Sequence, residues 1–190
     1  MEENYKLEKE YKVPADLFSE AYLAFQKKFI YPKSYIYMAI FIVIAAAMLL
    51  FGIISMNNAS DKQKYLTYLA ILMACAFAVR EWYNPKKKRR SLTESVKTLG
   101  EPVYKIGIAD KYVDISTVSD DVSDLSEEES TEAENDDPLP EKTRINIDED
   151  YQLLEYDGFF LILSGKEKIY ILPKKGFSEE ELKTVRDTQK

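Results

Sequence analysis

The run Tyr35–Met56, YIYMAIFIVIAAAMLLFGIISM, contains no charged side chain. A bilayer core needs about 20 helical residues, so this run is long enough to span one. Ten of the residues between Ile40 and Ile54 are Leu, Ile, Phe or Val, which together favour insertion by roughly 3–6 kcal/mol. The alternative is a buried core helix, but such helices are seldom uncharged on every face over this length. The run therefore predicts a transmembrane helix over residues 35–56.

A second apolar run, Tyr65–Val79, is shorter, and its flanks decide its assignment. Aromatic residues stand at both ends, as in the belts at membrane–water interfaces, and Arg80 can extend its side chain towards the headgroups. These aromatic residues are Tyr65, Tyr68, Trp82 and Tyr83. We therefore expect a transmembrane hairpin over residues 34–83, with helices at about 35–56 and 65–83.

Lysine and arginine are distributed unequally around the two runs. The connection between them carries Lys62 and Lys64, whereas the outer flanks are richer in cations. The outer set comprises Lys27, Lys28, Lys33, Arg80, Lys86, Lys87, Lys88, Arg89 and Arg90. Because cytoplasmic flanks carry the excess of Lys and Arg, both termini are predicted to be cytoplasmic.

Small residues recur along the second helix. Ala70, Ala74 and Ala78 are spaced by four residues, which would let two helices approach closely, although alanine is also common in membrane helices generally. Cys75 is the only cysteine, so no disulfide can form within one chain. Its simplest role is that of a small apolar filler, with redox activity or acylation as the alternative.

The residues on either side of the hairpin predict a cytoplasmic α+β part. Over residues 1–33, apolar residues alternate as in a strand as far as Pro14, and Asp16 can cap the helix that follows. Residues 103–190 predict a small β domain, because short apolar strands are separated by tight-turn signals such as Asp157-Gly158.

Two further features bear on how this domain is completed. Ser178 and Glu181 form a capping-box pattern, which predicts a short closing helix. The amino-terminal strand and the carboxy-terminal strands are predicted to lie on the same side of the membrane. We therefore expect the strand before Pro14 to complete the sheet of residues 103–190.

The net negative charge of the chain comes from one segment. Residues 119–141 hold 11 acidic residues and no basic ones, so the remaining chain has 22 acidic against 26 basic residues. This segment lacks the apolar content to bury anything and is predicted to be a disordered insertion. Two interpretations stay open: a solvated loop, or a segment that competes with anionic lipid headgroups for the basic run.

That basic run, Lys86, Lys87, Lys88, Arg89 and Arg90, lies in a predicted juxtamembrane linker, residues 84–102. Next to a bilayer it fixes topology and attracts anionic headgroups by roughly 1 kcal/mol per residue. These five residues are therefore candidate contacts for anionic lipid. Nucleic acid is an unlikely partner because the run follows the second apolar helix within a few residues.

The order of these parts resembles the bacterial YcxB-like membrane proteins. The resemblance rests on Tyr156–Leu163 (YDGFFLIL) and Tyr170–Phe177 (YILPKKGF), and Pro173, Lys174 and Phe177 match the family signature I-x-P-K-x-x-F. The chain departs from the family in two places: it has Ile147 where many members carry an aromatic residue, and residues 119–141 replace a short connection. The resemblance implies a compact β domain like half of a pleckstrin-homology barrel, in a bacterial cytoplasmic membrane. It implies little about function.

The sequence offers no pattern for catalysis, and no cofactor or metal site is predicted. There is no histidine, so Ser-His and Cys-His nucleophile systems are excluded within the chain. Neither a Gly-x-x-x-x-Gly-Lys nor a Gly-x-Gly-x-x-Gly phosphate loop occurs. The predicted helices carry no charge near their middle, which argues against an ion pathway. We therefore expect a protein that is not an enzyme.

Three functional hypotheses remain open. The first is a membrane-anchored cytoplasmic β module that acts through protein or lipid contacts. The second is an immunity or self-protection protein against a membrane-active toxin or peptide. The third is an accessory subunit whose hairpin packs against a transporter or channel, an unknown membrane protein partner. Residues and spacing alone do not separate the three.

Overall fold

A computed structural model describes residues 5–55, 60–98, 100, 102–119, 142–148, 150–165 and 168–189. The strands are β1 Leu7–Lys12, β2 Val103–Ile108, β3 Tyr112–Ser119, β4 Thr143–Asn146, β5 Tyr151–Glu155, β6 Phe159–Ser164 and β7 Lys168–Pro173. The helical segments are α1 Ala15–Phe25, a π-helical turn Gln26–Ile30, α2 Tyr31–Ser55, α3 Asp61–Thr98 and α4 Glu179–Arg186. The predicted α+β class is confirmed. The predicted disordered insertion, 119–141, lies outside the described residues from position 120 onward.

The chain divides into two compact units, and each is described separately. The helical unit is Tyr22–Ser91. The β unit joins Met1–Ala21 to Leu92–Lys190. Two helices, each 38 residues over Ala15–Gly52 and Asp61–Thr98, are long and apolar enough to cross a membrane, judged by length and composition.

Both long helices extend beyond the predicted boundaries. α1 passes through the π-helical turn directly into α2, and α3 continues past Tyr83 to Thr98. The segment predicted to be a linker, residues 84–102, is therefore helical as far as residue 98. Lys, Arg, Leu and Glu have high helix propensity, and their succession after Pro85 sustains the helix despite the local cost of the proline.

Apolar side chains of the helical unit are turned outward. In the most apolar 18-residue stretch of each long helix, only 11% is buried. Among the described residues, every exposed large hydrophobic side chain except Val118 lies between Tyr35 and Tyr83. A monomer in water seldom exposes an apolar patch larger than a few hundred Å². This surface requires an apolar environment or a partner.

An aromatic pair connects α2 and α3, and small residues of both helices are buried. Ala45, Ala74 and Ala78 are buried, and the rings of Phe41 and Phe77 stack with their centroids 5.4 Å apart. Ala74 and Ala78, two of the three alanines in the predicted four-residue spacing, are thus buried, and their role in close helix packing stays a prediction. Ala70, the third member of the spacing, is only partly buried.

The first sheet of the β unit has the order β1-β2-β3-β4, all antiparallel. β1 pairs with β2 along its whole length, from Leu7 opposite Ile108 to Lys12 opposite Val103. This confirms that the amino-terminal strand completes the sheet of the carboxy-terminal domain. The inner face buries Ile106, Ile108, Val113, Ile115 and Ile145.

The second sheet, β5-β6-β7, is also antiparallel, and β6 is its central strand. Phe159–Leu163 are all buried, and since neighbouring side chains point to opposite faces, both faces of β6 are covered. α4 contributes the buried Leu182 and Val185. Its predicted capping box is confirmed: Ser178 Oγ accepts from the Glu181 amide, and Glu181 Oε2 accepts from the Ser178 amide at 2.6 Å.

We predict that deleting residues 1–14 will destabilise the distant residues 103–190. The deletion removes the partner of β2 and the buried side chains Leu7, Tyr11 and Val13. At about 1.5–3 kcal/mol for each side chain, the loss is on the order of 5 kcal/mol, comparable with the whole stability of a small domain. Limited proteolysis in detergent, of the full chain and of the deletion variant, measures the loss of stability in residues 103–190.

The matched control for this deletion is Lys6→Ala. Lys6 makes an exposed ion pair with Asp110, so its loss should change stability by less than about 1 kcal/mol. Unchanged protease resistance of residues 103–190 after the deletion would contradict the structural role of β1.

Candidate functional site

The predicted lipid-contact residues lie together in the carboxy-terminal half of α3, which continues to Thr98. Lys86, Lys87, Lys88 and Arg90 are exposed, and Arg89 is half-buried. Consecutive helical residues are rotated by about 100°, so five in a row distribute cations around the entire helix. The basic run can therefore contact negatively charged groups from several directions.

Trp82 and Lys86 are neighbours on one face of α3, one turn apart. The Lys86 ammonium lies 3.6 Å from the centroid of the Trp82 indole ring. An ammonium at this distance is attracted to the face of the ring by about 0.5–1 kcal/mol at an exposed site. The contact places one cation directly against an aromatic ring of the flank that follows the second apolar run.

The π-helical turn faces the proline of α3. Gln26 is fully buried, and its Nε2 donates a hydrogen bond of 2.7 Å to the carbonyl oxygen of Pro85. This bond fixes the first residue of the π-helical turn against the residue that precedes the basic run. Sequence reasoning missed this contact, although a proline inside a run of helix formers was a signal for an irregular site.

The three residues of the family signature have structural contacts in the β unit. Pro173 is the last residue of β7 and pairs with Phe159. Phe177 packs its ring against Tyr11 of β1, with centroids 6.4 Å apart, and lies under the Lys9 ammonium at 4.7 Å. The signature therefore connects the end of the second sheet to the amino-terminal strand.

Lys174, the charged residue of the signature, is held in an ion cluster. Its Nζ donates to Glu155 Oε1 at 2.7 Å and lies 4.9 Å from the centroid of the Phe160 ring. Arg186 of α4 donates to the same carboxylate at 2.9 Å. The hydrogen bonds from Arg186 and Lys174 lower the pKa of Glu155 to about 2. This cluster joins β5, the residue after β7, and α4.

A second ion cluster lies on the outer face of the first sheet, around Asp114 of β3. The Asp114 side chain is only 3% exposed. It accepts hydrogen bonds from Tyr5 Oη at 2.7 Å and from Arg144 Nε at 2.9 Å, and it pairs with Lys142 Nζ at 2.9 Å. Burial raises the pKa of this carboxyl, but the hydrogen bonds from Arg144, Lys142 and Tyr5 outweigh that effect and lower it to about 2.

Tyr5 reaches Asp114 because its ring lies directly over Gly107 of β2. A Cβ atom at residue 107 would lie 2.7 Å from Tyr5 Cε1, which is closer than real Cβ contacts. Gly107 stands opposite Asp114 in the β2–β3 register. Gly107 therefore leaves the space in which the Tyr5 ring, two residues before β1, is held against the sheet.

The two perturbed carboxylates act as structural anchors in this arrangement. Each is surrounded by the cations that lower its pKa, and each joins segments that are distant in sequence. Within the described ranges, no group of three or more His, Cys, Asp or Glu residues is placed to hold a metal ion. The basic run belongs to the helical unit and the signature residues to the β unit.

No protein-family model, curated protein or solved structure matches this chain. The resemblance to the YcxB-like proteins accordingly stays a prediction.

We predict that Asp114→Asn will remove part of the acid sensitivity of the β unit. The folded pKa of about 2 lies below the ordinary 3.8, so the stabilisation is present above pH 3.8 and is lost as pH falls towards 2. That difference corresponds to about 2 kcal/mol. Urea unfolding of the full chain in detergent, from about pH 6 to about pH 3, should show a shallower pH dependence for the variant.

The control is Asp157→Asn, in the exposed turn between β5 and β6, which leaves Asp114 and its partners unchanged. A variant Asp114→Asn that is as stable as the wild type at neutral pH, with the same pH dependence, would contradict the anchoring role.

We predict that Gly107→Ala will cost about 1–3 kcal/mol, because the added methyl group displaces the Tyr5 ring. In a Tyr5→Ala background the same substitution should cost much less, since the space is then empty. Urea unfolding of the four proteins measures this coupling. Equal costs in both backgrounds would show that the ring does not lie on Gly107.

Proposed function

We propose that this chain is a non-catalytic, two-pass protein of a bacterial cytoplasmic membrane, with both termini in the cytoplasm. In this proposal the helical unit is the anchor and the β unit is a module that acts through protein or lipid contacts. The YcxB-like resemblance is part of the proposal. So is a pleckstrin-homology-like character of the module, which the four-stranded sheet, the three-stranded sheet and the closing helix α4 support.

One observation carries the topology: Lys12 of β1 is paired with Val103 of β2. Everything between these two residues leaves the sheet and returns to it, and the intervening elements are α1, the π-helical turn, α2 and α3. Paired strands lie in one compartment, so the intervening chain crosses a membrane an even number of times. Two apolar helices in that interval support one outward and one inward crossing.

The surface of the helical unit supports insertion independently of the topology. Its large apolar side chains are exposed along both long helices, from Tyr35 on α2 to Tyr83 on α3. In water this would be an aggregation-prone surface, whereas in hydrocarbon it is the expected one. The excess of Lys and Arg on the flanks supports the cytoplasmic side for the β unit.

The contacts of the β unit support a rigid module. The carboxylates that departed most from their ordinary pKa, Asp114 and Glu155, are each engaged with two cationic side chains that hold separate segments together. These contacts give the module a rigid frame. The cations of Lys86–Arg90 follow the second apolar segment within a few residues, where anionic headgroups would meet them.

Cysteine labelling tests the proposed topology. The single native cysteine is first removed as Cys75→Ser, and then one cysteine is introduced as Asp16→Cys, Ser60→Cys or Asp157→Cys, all at exposed positions. In intact spheroplasts an impermeant maleimide should label only Ser60→Cys. Asp16→Cys and Asp157→Cys should react only after the membrane is permeabilised.

Two results would overturn the proposal. One is labelling of the positions on either side of the hairpin, 16 and 157, from opposite sides of the membrane, since β1 and β2 could not then pair. The other is recovery of the intact chain in the soluble fraction without detergent, which would exclude the anchor.

A further inference from the structure

An apolar groove of about 640 Å³ runs between α2 and α3 in the helical unit. Its depth comes from small side chains on both helices, Ala45, Ala46, Cys75 and Ala78. Ala45 and Ala78 are buried at the contact between the helices, while Ala46 is exposed. Small side chains of both helices thus line a channel along one side of the pair.

The groove has two different ends. Met38 and Trp82 line one end of the groove. Leu49, eleven residues further along α2, lines the other end. At 1.5 Å per residue this is a length of about 16 Å. The Lys86 ammonium lies over the Trp82 ring, so a cation stands at that end of the groove. Lys87 and Lys88 follow it on α3.

The dimensions of the groove fit one lipid chain. An accessible volume of about 640 Å³ extends over about 16 Å of α2. An extended hydrocarbon chain can lie along such a channel, because apolar side chains line it.

We propose that this groove holds one acyl chain of an anionic phospholipid, with the lipid phosphate against Lys86. This rests on the membrane insertion proposed above. The apolar lining matches the hydrocarbon chain, and the ammonium at the Trp82 end matches the charge of the headgroup. Filling the groove also restores the dispersion contacts that an unfilled channel would lack.

Native mass spectrometry of the full chain, released from nanodiscs of phosphatidylglycerol and phosphatidylcholine, tests the proposal. The wild type should retain phosphatidylglycerol in preference to phosphatidylcholine. Ala46→Phe should fill the groove and reduce retention about tenfold. The matched control is Ala47→Phe, at an exposed alanine that does not line the groove, which should retain lipid as the wild type does.

A charge variant separates the headgroup from the acyl chain. Lys86→Gln should reduce the preference for phosphatidylglycerol about fivefold, the effect of about 1 kcal/mol for one cation near the headgroups. Lys62→Gln, at the other end of α3, should leave the preference unchanged. Because Lys86 is exposed, this variant is not expected to disturb folding, so it remains informative if Ala46→Phe does not fold.

The single tryptophan gives a second measurement, since Trp82 lines the groove. Phosphatidylglycerol with brominated acyl chains should quench its fluorescence at a lower mole fraction than brominated phosphatidylcholine. This difference should disappear in Lys86→Gln and persist in Lys62→Gln.

Equal retention of the two lipids by the wild type, or equal effects of Ala46→Phe and Ala47→Phe, would overturn the proposal. It would also be overturned if Ala46→Phe converted a dimer into a monomer while lipid retention stayed the same, because a second copy would then be the occupant. None of these results would change the cysteine-labelling pattern. A failure of the lipid proposal can therefore be told apart from a failure of the proposed membrane topology.

Discussion

The pairing of β1 with β2 is the constraint on which the rest of the structure depends. Lys12 and Val103 are 91 positions apart in the chain, yet they are opposite each other in one sheet. For a flexible chain of that length, closing the loop costs about 4 kcal/mol. The cost falls when the intervening residues form two antiparallel helices, because such a pair returns the chain to the side from which it started. Formation of the helix pair and of the first sheet is therefore coupled.

Side-chain contacts hold β1 in addition to the backbone pairing. Tyr5, just before the strand, donates to Asp114, and its ring occupies the space above Gly107. Lys9 is bonded to Glu181 of the α4 capping box at 2.7 Å. Tyr11 packs against Phe177. The amino-terminal segment thus contacts the first sheet, the closing helix and the turn before that helix, which explains why a short strand can carry so much of the stability of the β unit.

The sequence predicts those features that depend on local patterns. The uncharged run at Tyr35–Met56 and the capping box at Ser178 are encoded within a few neighbouring residues, and both agree with the structure. Helix extension past Tyr83 was missed because Pro85 and the charged residues after it resemble a connection. Only the α3 backbone shows that helix propensity prevails there.

Other features depend on contacts between residues far apart in sequence. The bond from Gln26 to Pro85 joins positions 59 apart, and the Asp114 cluster requires the register of three strands. No periodicity or motif specifies which side chains meet in such cases. The partner of Lys174, for example, is not specified by its neighbours in the sequence. Its bond to Glu155 shows that its charge is neutralised within the fold.

The small residues of the helical unit have two opposing effects. Ala45 and Ala78 are buried, and in a bilayer small side chains are what allows two apolar helices to pack against each other. The same small side chains leave the groove beside the contact, and an unfilled groove would forfeit dispersion contacts along about 16 Å of both helices. In water this would be a defect. In a bilayer, hydrocarbon is present at high concentration, so a lipid chain can fill the space without a dedicated partner. In the proposed lipid site, the cation on Trp82 would then favour an anionic headgroup.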